Sequence, residues 1–130
     1  MFLDFELDFN RRINSGLDSL MIISCQNVRI ENCNTWSLAI LECSKVFVNK
    51  STIRRTLHLT ECNNVKIDNC TIKRLKIRLS TLNIIKNSTI KKIKFITGHE
   101  NTLEANNISE KHLKRLKKKY WYDWYKLKII

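Results

Sequence analysis

Basic residues recur in pairs at a nearly constant spacing in the middle of the chain. The pairs stand 19 and 18 residues apart and are Arg54–Arg55, Lys73–Arg74 and Lys91–Lys92, with Lys76, Arg78 and Lys94 in the same segments. Rows of cations suit a ligand with regularly spaced negative charges, such as the phosphates of a nucleic acid. Lysine is abundant throughout this chain, whose formal net charge is +12, so a solvated basic strip without a ligand is the competing interpretation.

The segment 109–130 combines basic and aromatic side chains. Ser109 can cap the start of a helix, Glu110 suits its first turn, and apolar residues follow at helical spacing at Leu113, Leu116, Tyr120, Trp124 and Leu127. Such a helix can cover the end of the core with its lysines in water. It can also contact nucleic acid or an anionic membrane surface through Lys114, Arg115, Lys117, Lys118, Lys119, Trp121 and Tyr122. The two interpretations are compatible.

The five cysteines do not show the spacing of a metal site or of a disulfide framework. They are Cys25, Cys33, Cys43, Cys62 and Cys70, an odd number without a CxxC pair. In the aligned sequence they alternate with serine, which is small and is not a usual metal ligand. We therefore expect buried free thiols rather than a stacked disulfide or a metal site, and we expect no cofactor.

Residue types that could support catalysis are present but poorly arranged. Glu42 and Glu61 end successive repeats and could form a carboxylate pair of the kind that glycosidases use. Exposed acids at the ends of repeats are the stronger interpretation. His58, His99 and His112 are scattered, without the partners of a catalytic triad. We therefore predict no catalytic residue and no enzymatic activity.

The region 25–108 repeats itself about every 18 residues. The units begin at Cys25, Cys43, Cys62 and Ser80, and a partial fifth unit begins at Gly98. Apolar residues align in four columns: Ile30, Val48, Ile67, Ile85, Leu103; Ile53, Ile72, Ile90, Ile108; Leu38, Leu57, Leu75, Ile93; and Ile40, Leu59, Ile77, Phe95. Because apolar positions recur every two or three residues, they predict short strands interrupted by corners rather than a helix.

Small polar residues align in further columns and predict the corners of each coil. These columns are Asn32, Asn69, Asn87; Cys33, Ser51, Cys70, Ser88; and Thr52, Thr71, Thr89. The repeated Val-x-Ile-x-Asn-Cys/Ser-Thr-Ile phrase resembles the right-handed parallel β-helix family with pectate-lyase-like repeats. Bactofilins are similar only in size and form. A left-handed hexapeptide helix would need a strict six-residue rhythm, whereas this rhythm is nearer five.

The resemblance covers the region 25–108 and implies a solenoid of stacked coils, but it implies no particular activity. Asn83 and Asn101 replace the valines at Val28, Val46 and Val65, so the later coils must widen, rotate or hydrogen-bond an inward amide. The chain has no proline and only Gly16 and Gly98 as glycines, which disfavours folds built on tight hairpins.

We predict an all-β solenoid, a single-domain parallel β-helix of about five coils. Residues 1–24 would form an N-terminal cap strand, with alternating apolar residues from Met1 to Phe9, and a degenerate first coil marked by Asn14, Ser15, Leu17, Leu20 and Ile22. Residues 25–108 would form the coils, and 109–130 a capping helix. Caps are needed because each open end exposes several apolar side chains, each worth roughly 1.5–3 kcal/mol when buried.

The predicted function is a non-catalytic binding module whose basic face binds a polyanion, with nucleic acid as the preferred ligand. The alternative is a self-assembling structural protein, a filament or viral component, that forms homo-oligomers by coil stacking; a carbohydrate-binding or carbohydrate-active β-helix ranks third. A membrane surface is the less favoured prediction for the partner. The sequence lacks a signal segment and a long apolar run, so we expect a cytoplasmic protein.

Overall fold

Two parallel β-sheets wind around one apolar core. The computed structural model describes residues 3–8, 17–120 and 127–130. In chain order its elements are β1 (Leu3–Asp8), β2 (Leu17–Ile23), β3 (Cys25–Glu31), β4 (Asn34–Leu41), β5 (Ser44–Asn49), β6 (Thr52–Thr60), β7 (Asn63–Asp68), β8 (Thr71–Thr81), β9 (Ile84–Lys86), β10 (Thr89–His99), β11 (Asn101–Glu104), α1 (Glu110–Tyr120) and β12 (Leu127–Ile129).

Every strand pairs in parallel with the equivalent strand of the next coil. The first sheet runs β1-β3-β5-β7-β9-β11-β12, and the second runs β2-β4-β6-β8-β10. Because consecutive strands alternate between the two sheets, the chain forms a β-solenoid of about five turns. The predicted fold class is therefore confirmed.

The predicted apolar columns correspond to the strand register. Ile30 pairs with Val48, Val48 with Ile67, and the column continues through Ile85 to Leu103, all of them fully buried. The column that begins at Leu38 also pairs residue by residue as far as Ile93, and the column that begins at Ile53 does so as far as Ile90. One prediction was wrong by one residue: Ile96, not Phe95, pairs with Ile77. The register shifts after Ile93, because β10 holds an extra residue there.

Left-handed backbone conformations form three corner columns in the solenoid. The columns with positive φ are Ser24, Glu42, Glu61, Leu79; Asn27, Lys45, Asn64, Leu82, Glu100; and Asn32, Lys50, Asn69, Asn87, Ala105. Asparagine tolerates this conformation better than most residues do. This explains the asparagine column that the sequence shows.

Where the residue after a corner is a cysteine, serine or asparagine, its inward side chain can accept a hydrogen bond from the backbone of the neighbouring coil. The Cys33 N–H donates to Ser51 Oγ at 3.1 Å, and the Cys62 N–H donates to Ser80 Oγ at 3.0 Å. Asn83 Oδ1 accepts from the Val65 N–H at 2.9 Å, and its amide donates to Asn101 Oδ1. Cysteine, serine and asparagine interchange in these columns because each brings an acceptor to the buried N–H.

The N-terminal strands form the first coil. β1 pairs with β3 and β2 pairs with β4, where Leu20 lies opposite Leu38 and Ile22 opposite Ile40. These pairings confirm the strand positions of the predicted degenerate copy, Leu20 and Ile22. The cap strand predicted from Met1 to Phe9 is present as β1, which continues the first sheet; the ends of that segment and the turn residues Asn14 and Ser15 lie outside the described residues.

Helix α1 covers the free edge of the second sheet. Ser109 Oγ accepts from the His112 N–H at 3.3 Å, which confirms the predicted N-cap. Leu116 and Tyr120 are buried against the core. The Tyr120 hydroxyl accepts from the Ile96 N–H at 2.9 Å, and His112 Nε2 accepts from the Ile93 N–H at 2.8 Å. The helix therefore satisfies edge groups of β10 that would otherwise be open to another strand.

The prediction of one helix over 109–130 was too long. The helix ends at Tyr120, and Leu127 belongs to β12, which pairs in parallel with β11. The open edge of β11 offers hydrogen bonds to any strand placed beside it, and the Leu-Lys-Ile alternation suits that pairing. Trp124 lies outside the described residues. Within the described ranges, no helix has both the length and the apolar character needed to cross a bilayer.

His112 makes the stability of the closed edge depend on pH. Its Nε2 must be unprotonated to accept from Ile93, and burial, together with the charges of Arg115 and Lys92, lowers the pKa of His112 below its ordinary 6.5. Protonation therefore favours the unfolded chain. The stability that neutral His112 contributes to the folded protein is complete above a pH of about 6.5, and it is lost as the pH falls through the lowered pKa of His112 in the folded state.

We expect the free energy of unfolding to decrease below pH 6.5, and His112→Gln to weaken that decrease, because a glutamine oxygen can accept the same hydrogen bond without titrating. Urea unfolding followed by circular dichroism across this range measures it. The comparison variant is His58→Gln: burial and the charge of Lys76 also lower the pKa of His58, so this variant should weaken the decrease as well, and the double variant should weaken it further. A pH dependence that is identical in wild type and His112→Gln would contradict this role.

Candidate functional site

On the outward side of β6, β8 and β10, every charged side chain is basic. Inward positions hold the buried isoleucine and leucine columns, so strand alternation turns the cations outward. We call this surface the basic face. Its nine cations are Arg54, Arg55, Lys73, Arg74, Lys76, Arg78, Lys91, Lys92 and Lys94, and these three strands contain no aspartate or glutamate.

The register stacks most of these cations as predicted. Arg74 lies directly opposite Lys92, and the pairing of Ile72 with Ile90 places Lys73 beside Lys91. One pairing was predicted wrongly: Thr56, not Arg55, lies opposite Arg74. The register shifts between Ile53 and Thr56, so Arg54 and Arg55 together occupy the space opposite one residue.

Trp36 on β4 extends the basic face by one coil and was not predicted as a site residue. The guanidinium carbons of Arg54 and Arg55 lie 5.8 and 5.9 Å from the centre of its ring. Its side chain is 44% exposed. Trp36 was missed because only one repeat has an aromatic residue at this position, so no column marks it. Its place one coil before Arg54 in the aligned repeats could have indicated that it lies beside the cations. The result is an aromatic surface next to a row of cations.

A groove runs along one margin of the basic face. It has a volume of about 730 Å³, and its lining includes Thr52, Thr71 and Thr89, one threonine from each of three coils. Arg54, Lys73 and Lys91 line the same groove, with Asn107 and Ser109 where the helix begins. Hydroxyl groups and cations are both common donors to phosphate oxygens.

Neighbouring cations of the basic face affect the pKa of Lys94. A hydrogen bond to Lys92 and the charges of Lys92, Arg74 and Lys76 lower the pKa of Lys94 below its ordinary 10.5. Coils stacked about 4.8 Å apart place like charges where each pair repels by roughly 0.9 kcal/mol even in water. Within the residues that the structure describes, none of the nine cations forms an ion pair, whereas Arg29 and Glu31 form one on the first sheet.

The helix brings further cations to the border of the basic face. Lys114, Arg115, Lys117, Lys118 and Lys119 are exposed. Arg115 and Lys92 both lower the pKa of His112, so the helix and the basic face meet at that residue. Lys117 lines a small cavity of about 100 Å³ on the side of β12 instead. The predicted contacts of Trp121 and Tyr122 lie outside the described residues.

The cysteines are structural. All five are free and buried. Burial raises the pKa of Cys62 and of Cys70 to about 11, so both remain protonated at neutral pH. The Cys62 thiol donates to the backbone oxygens of Ile40 and Thr60. The prediction of buried free thiols is confirmed. The thiols of Cys25, Cys43, Cys62 and Cys70 each donate to a backbone oxygen at a corner of the solenoid.

Among the remaining candidates for chemistry, Glu42 and Glu61 are neighbours in one corner column, whereas the three histidines lie apart. Glu42 and Glu61 occupy exposed corner positions with φ near +52° and +53°. His58 lies on β6, His99 ends β10 and His112 lies on the helix. Among the described residues, no three metal-binding side chains form a group that could hold a metal ion.

No protein-family model, no curated protein and no solved structure matches this chain.

Proposed function

We propose that this protein is a non-catalytic binding module whose basic face holds a polyanion, and that the polyanion is a nucleic acid. The observation that carries the proposal is the difference in charge between the two sheets. The second sheet presents nine cations and no acid on β6, β8 and β10. On the first sheet, strands β3, β5, β7, β9 and β11 carry both signs: Arg29, Lys45, Lys66 and Lys86 with Glu31, Asp68 and Glu104.

The difference in charge between the two sheets argues against the lysine-rich composition of the chain as the cause of the basic face. A lysine-rich composition adds cations to both sheets without preference, because both sheets have outward positions that contact solvent. Here acids are present on the outside of one sheet and missing from the three cationic strands of the other. A uniform field along one surface is the arrangement that attracts a chain of phosphates.

The groove adds donors that a simple charged strip would lack. Thr52, Thr71 and Thr89 repeat at the same interval as Arg54, Lys73 and Lys91, so each coil offers a hydroxyl and a cation side by side. Backbone phosphates are bound in proteins by this mixture of hydroxyl and cationic donors. A phosphate chain would also neutralise the repulsion within the face, which the lowered pKa of Lys94 reflects.

The self-assembling structural protein remains the alternative, with weaker support. End-to-end stacking of solenoids needs open strand edges at both ends. At the C-terminal end, α1 occupies edge groups of β10 at Ile93 and Ile96. A carbohydrate-active β-helix has less support again, because within the described ranges the connections between the strands of the coils are too short to enclose a substrate cleft.

Binding across a salt series tests the proposal. We expect a labelled oligonucleotide to bind, with a logarithmic affinity that falls linearly with the logarithm of salt concentration. If about five phosphates are contacted, affinity drops roughly 100-fold between about 50 and 200 mM salt. Fluorescence anisotropy measures this, and a neutral polysaccharide of similar length is the control ligand. No binding at low salt, or binding that salt does not weaken, would remove the proposal.

A further inference from the structure

We propose that the ligand is a single-stranded nucleic acid, and that Trp36 stacks on one of its bases at the end of the cation row. This inference rests on the proposed function and adds the strandedness of the ligand and the residue that detects it. Its starting point is the column Trp36, Arg54, Lys73, Lys91, which crosses four coils on the outside of the second sheet.

Trp36 has the exposure that stacking requires. Its side chain is 44% exposed, although tryptophan is usually more buried than this in a folded domain. Arg54 and Arg55 lie against the ring, and the β6 register shift brings both of them there. A base stacked on Trp36 would therefore have its own phosphates within reach of two guanidinium groups.

The length and flatness of the column favour one strand over two. Four coils at about 4.8 Å span roughly 14 Å, and the surface is a sheet rather than a projecting helix or loop. A duplex turns its backbone away within a helical repeat of about 34 Å and keeps its bases stacked inside. A single strand can follow a straight row and offer an open base face. Cations beside an aromatic platform are the usual combination for that ligand.

The first sheet offers an internal comparison. Phe47 lies between Arg29 and Lys66, whose charged groups are 4.9 and 5.7 Å from its ring centre. It is an aromatic residue with two neighbouring cations, as Trp36 is. Its column continues to Ile84 and Thr102 rather than to further cations, and its sheet carries acids. A phosphate chain that begins at Phe47 would find no row to follow.

The experiment compares Trp36→Thr with Phe47→Thr in the full-length protein, since threonine preserves strand preference at both sites. The probes are a labelled oligothymidine, a duplex of equal charge and inorganic polyphosphate. We expect wild type to bind oligothymidine most tightly. Trp36→Thr should lose about 5- to 150-fold in affinity for oligothymidine, as for one stacked base, with an unchanged salt slope. Phe47→Thr should bind as wild type does.

The outcomes separate this inference from the proposed function. Steep salt dependence with equal affinity for all three probes, unaltered by Trp36→Thr, would overturn the stacking role and leave polyanion binding intact. Failure to bind any probe at low salt would overturn both. If Trp36→Thr lowers affinity for polyphosphate as strongly as for oligothymidine, Trp36 acts by holding Arg54 and Arg55 in place and stacking is rejected. Circular dichroism confirms that both variants are folded.

Discussion

Reversing two charges at the centre of the basic face should nearly abolish binding. In Lys73→Glu/Lys91→Glu, both changed residues are exposed and line the groove. Each lost phosphate contact is worth about tenfold in affinity at about 50 mM salt, so the double variant should lose about 100-fold or more. The salt slope should also become shallower by about 1.4–1.8, according to whether one strand or two are bound.

A control of equal charge separates position from net charge. Lys45→Glu/Lys66→Glu changes the total charge by the same amount, but both residues lie on the exposed side of the first sheet. We expect this control to lose less than about tenfold, because long-range steering is screened beyond about 10 Å at ordinary salt. Equal losses in the two variants would show that only net charge matters, and the basic face would then have no special role.

The same reversal should not unfold the protein. Lys73 and Lys91 are surrounded by Arg54, Arg74 and Lys92. Acids at these two positions still repel each other, but they attract the surrounding cations instead of repelling them. Urea unfolding should therefore give a midpoint equal to or above that of wild type. This direction matters, because a destabilised variant would also bind less well for reasons unrelated to the ligand.

The solenoid can hold mutually repelling cations because its core outweighs them. Each repulsive pair costs roughly 0.9 kcal/mol in water, whereas each fully buried isoleucine or leucine behind it contributes roughly 1.5–3 kcal/mol. Ile72, Leu75 and Ile77 on β8 alone are such residues. The backbone ladders fix the spacing of the coils regardless of what the outward side chains prefer. A face of like charge is therefore rigid and ready for its ligand before the ligand arrives.

Stacked positions could be predicted from the sequence because a constant repeat length converts sequence separation into vertical distance. The column from Ile30 to Leu103 and the stacking of Arg74 with Lys92 follow from spacings of 18 or 19 residues. Hydrogen bonding by the inward Asn83 was one of the outcomes expected for that column. These features depend on periodicity alone, which composition and neighbouring residues cannot obscure.

Local register shifts were beyond prediction for a physical reason. An extra residue near Lys94 moves Ile96 into the position expected for Phe95, and another at Arg55 brings Thr56 opposite Arg74. The spacing of apolar residues in the sequence is compatible with either register at these two points, so hydrophobic pattern does not distinguish them. The end of the helix at Tyr120 was missed because the competing partner, the free edge of β11, exists only once the coils are stacked.

Gly98→Ala should be the most damaging single substitution in the described coils. Gly98 has φ +110°, a conformation that residues with a Cβ rarely adopt, and a Cβ built there would lie 1.9 Å from the backbone oxygen of Ser80. That oxygen cannot move away freely, because it accepts from the buried Asn101 amide at 3.1 Å, and Ser80 Oγ accepts from the Cys62 N–H. We expect a loss of about 3 kcal/mol or more in the free energy of unfolding.

A loss of that size is a large share of the roughly 5–15 kcal/mol that stabilises an ordinary domain, so low soluble yield is also expected. Glu100→Ala is the matched control, since Glu100 is exposed at a φ of +57° that already carries a Cβ; its change should stay within about 1 kcal/mol. Because Gly98 is the penultimate residue of β10, the strand that bears Lys91, Lys92 and Lys94, partial detachment of β10 should also weaken oligonucleotide binding. Equal urea midpoints for Gly98→Ala and Glu100→Ala would mean that Ser80 and Gly98 are not vertical neighbours, and the stacking on which the basic face depends would be wrong at this coil.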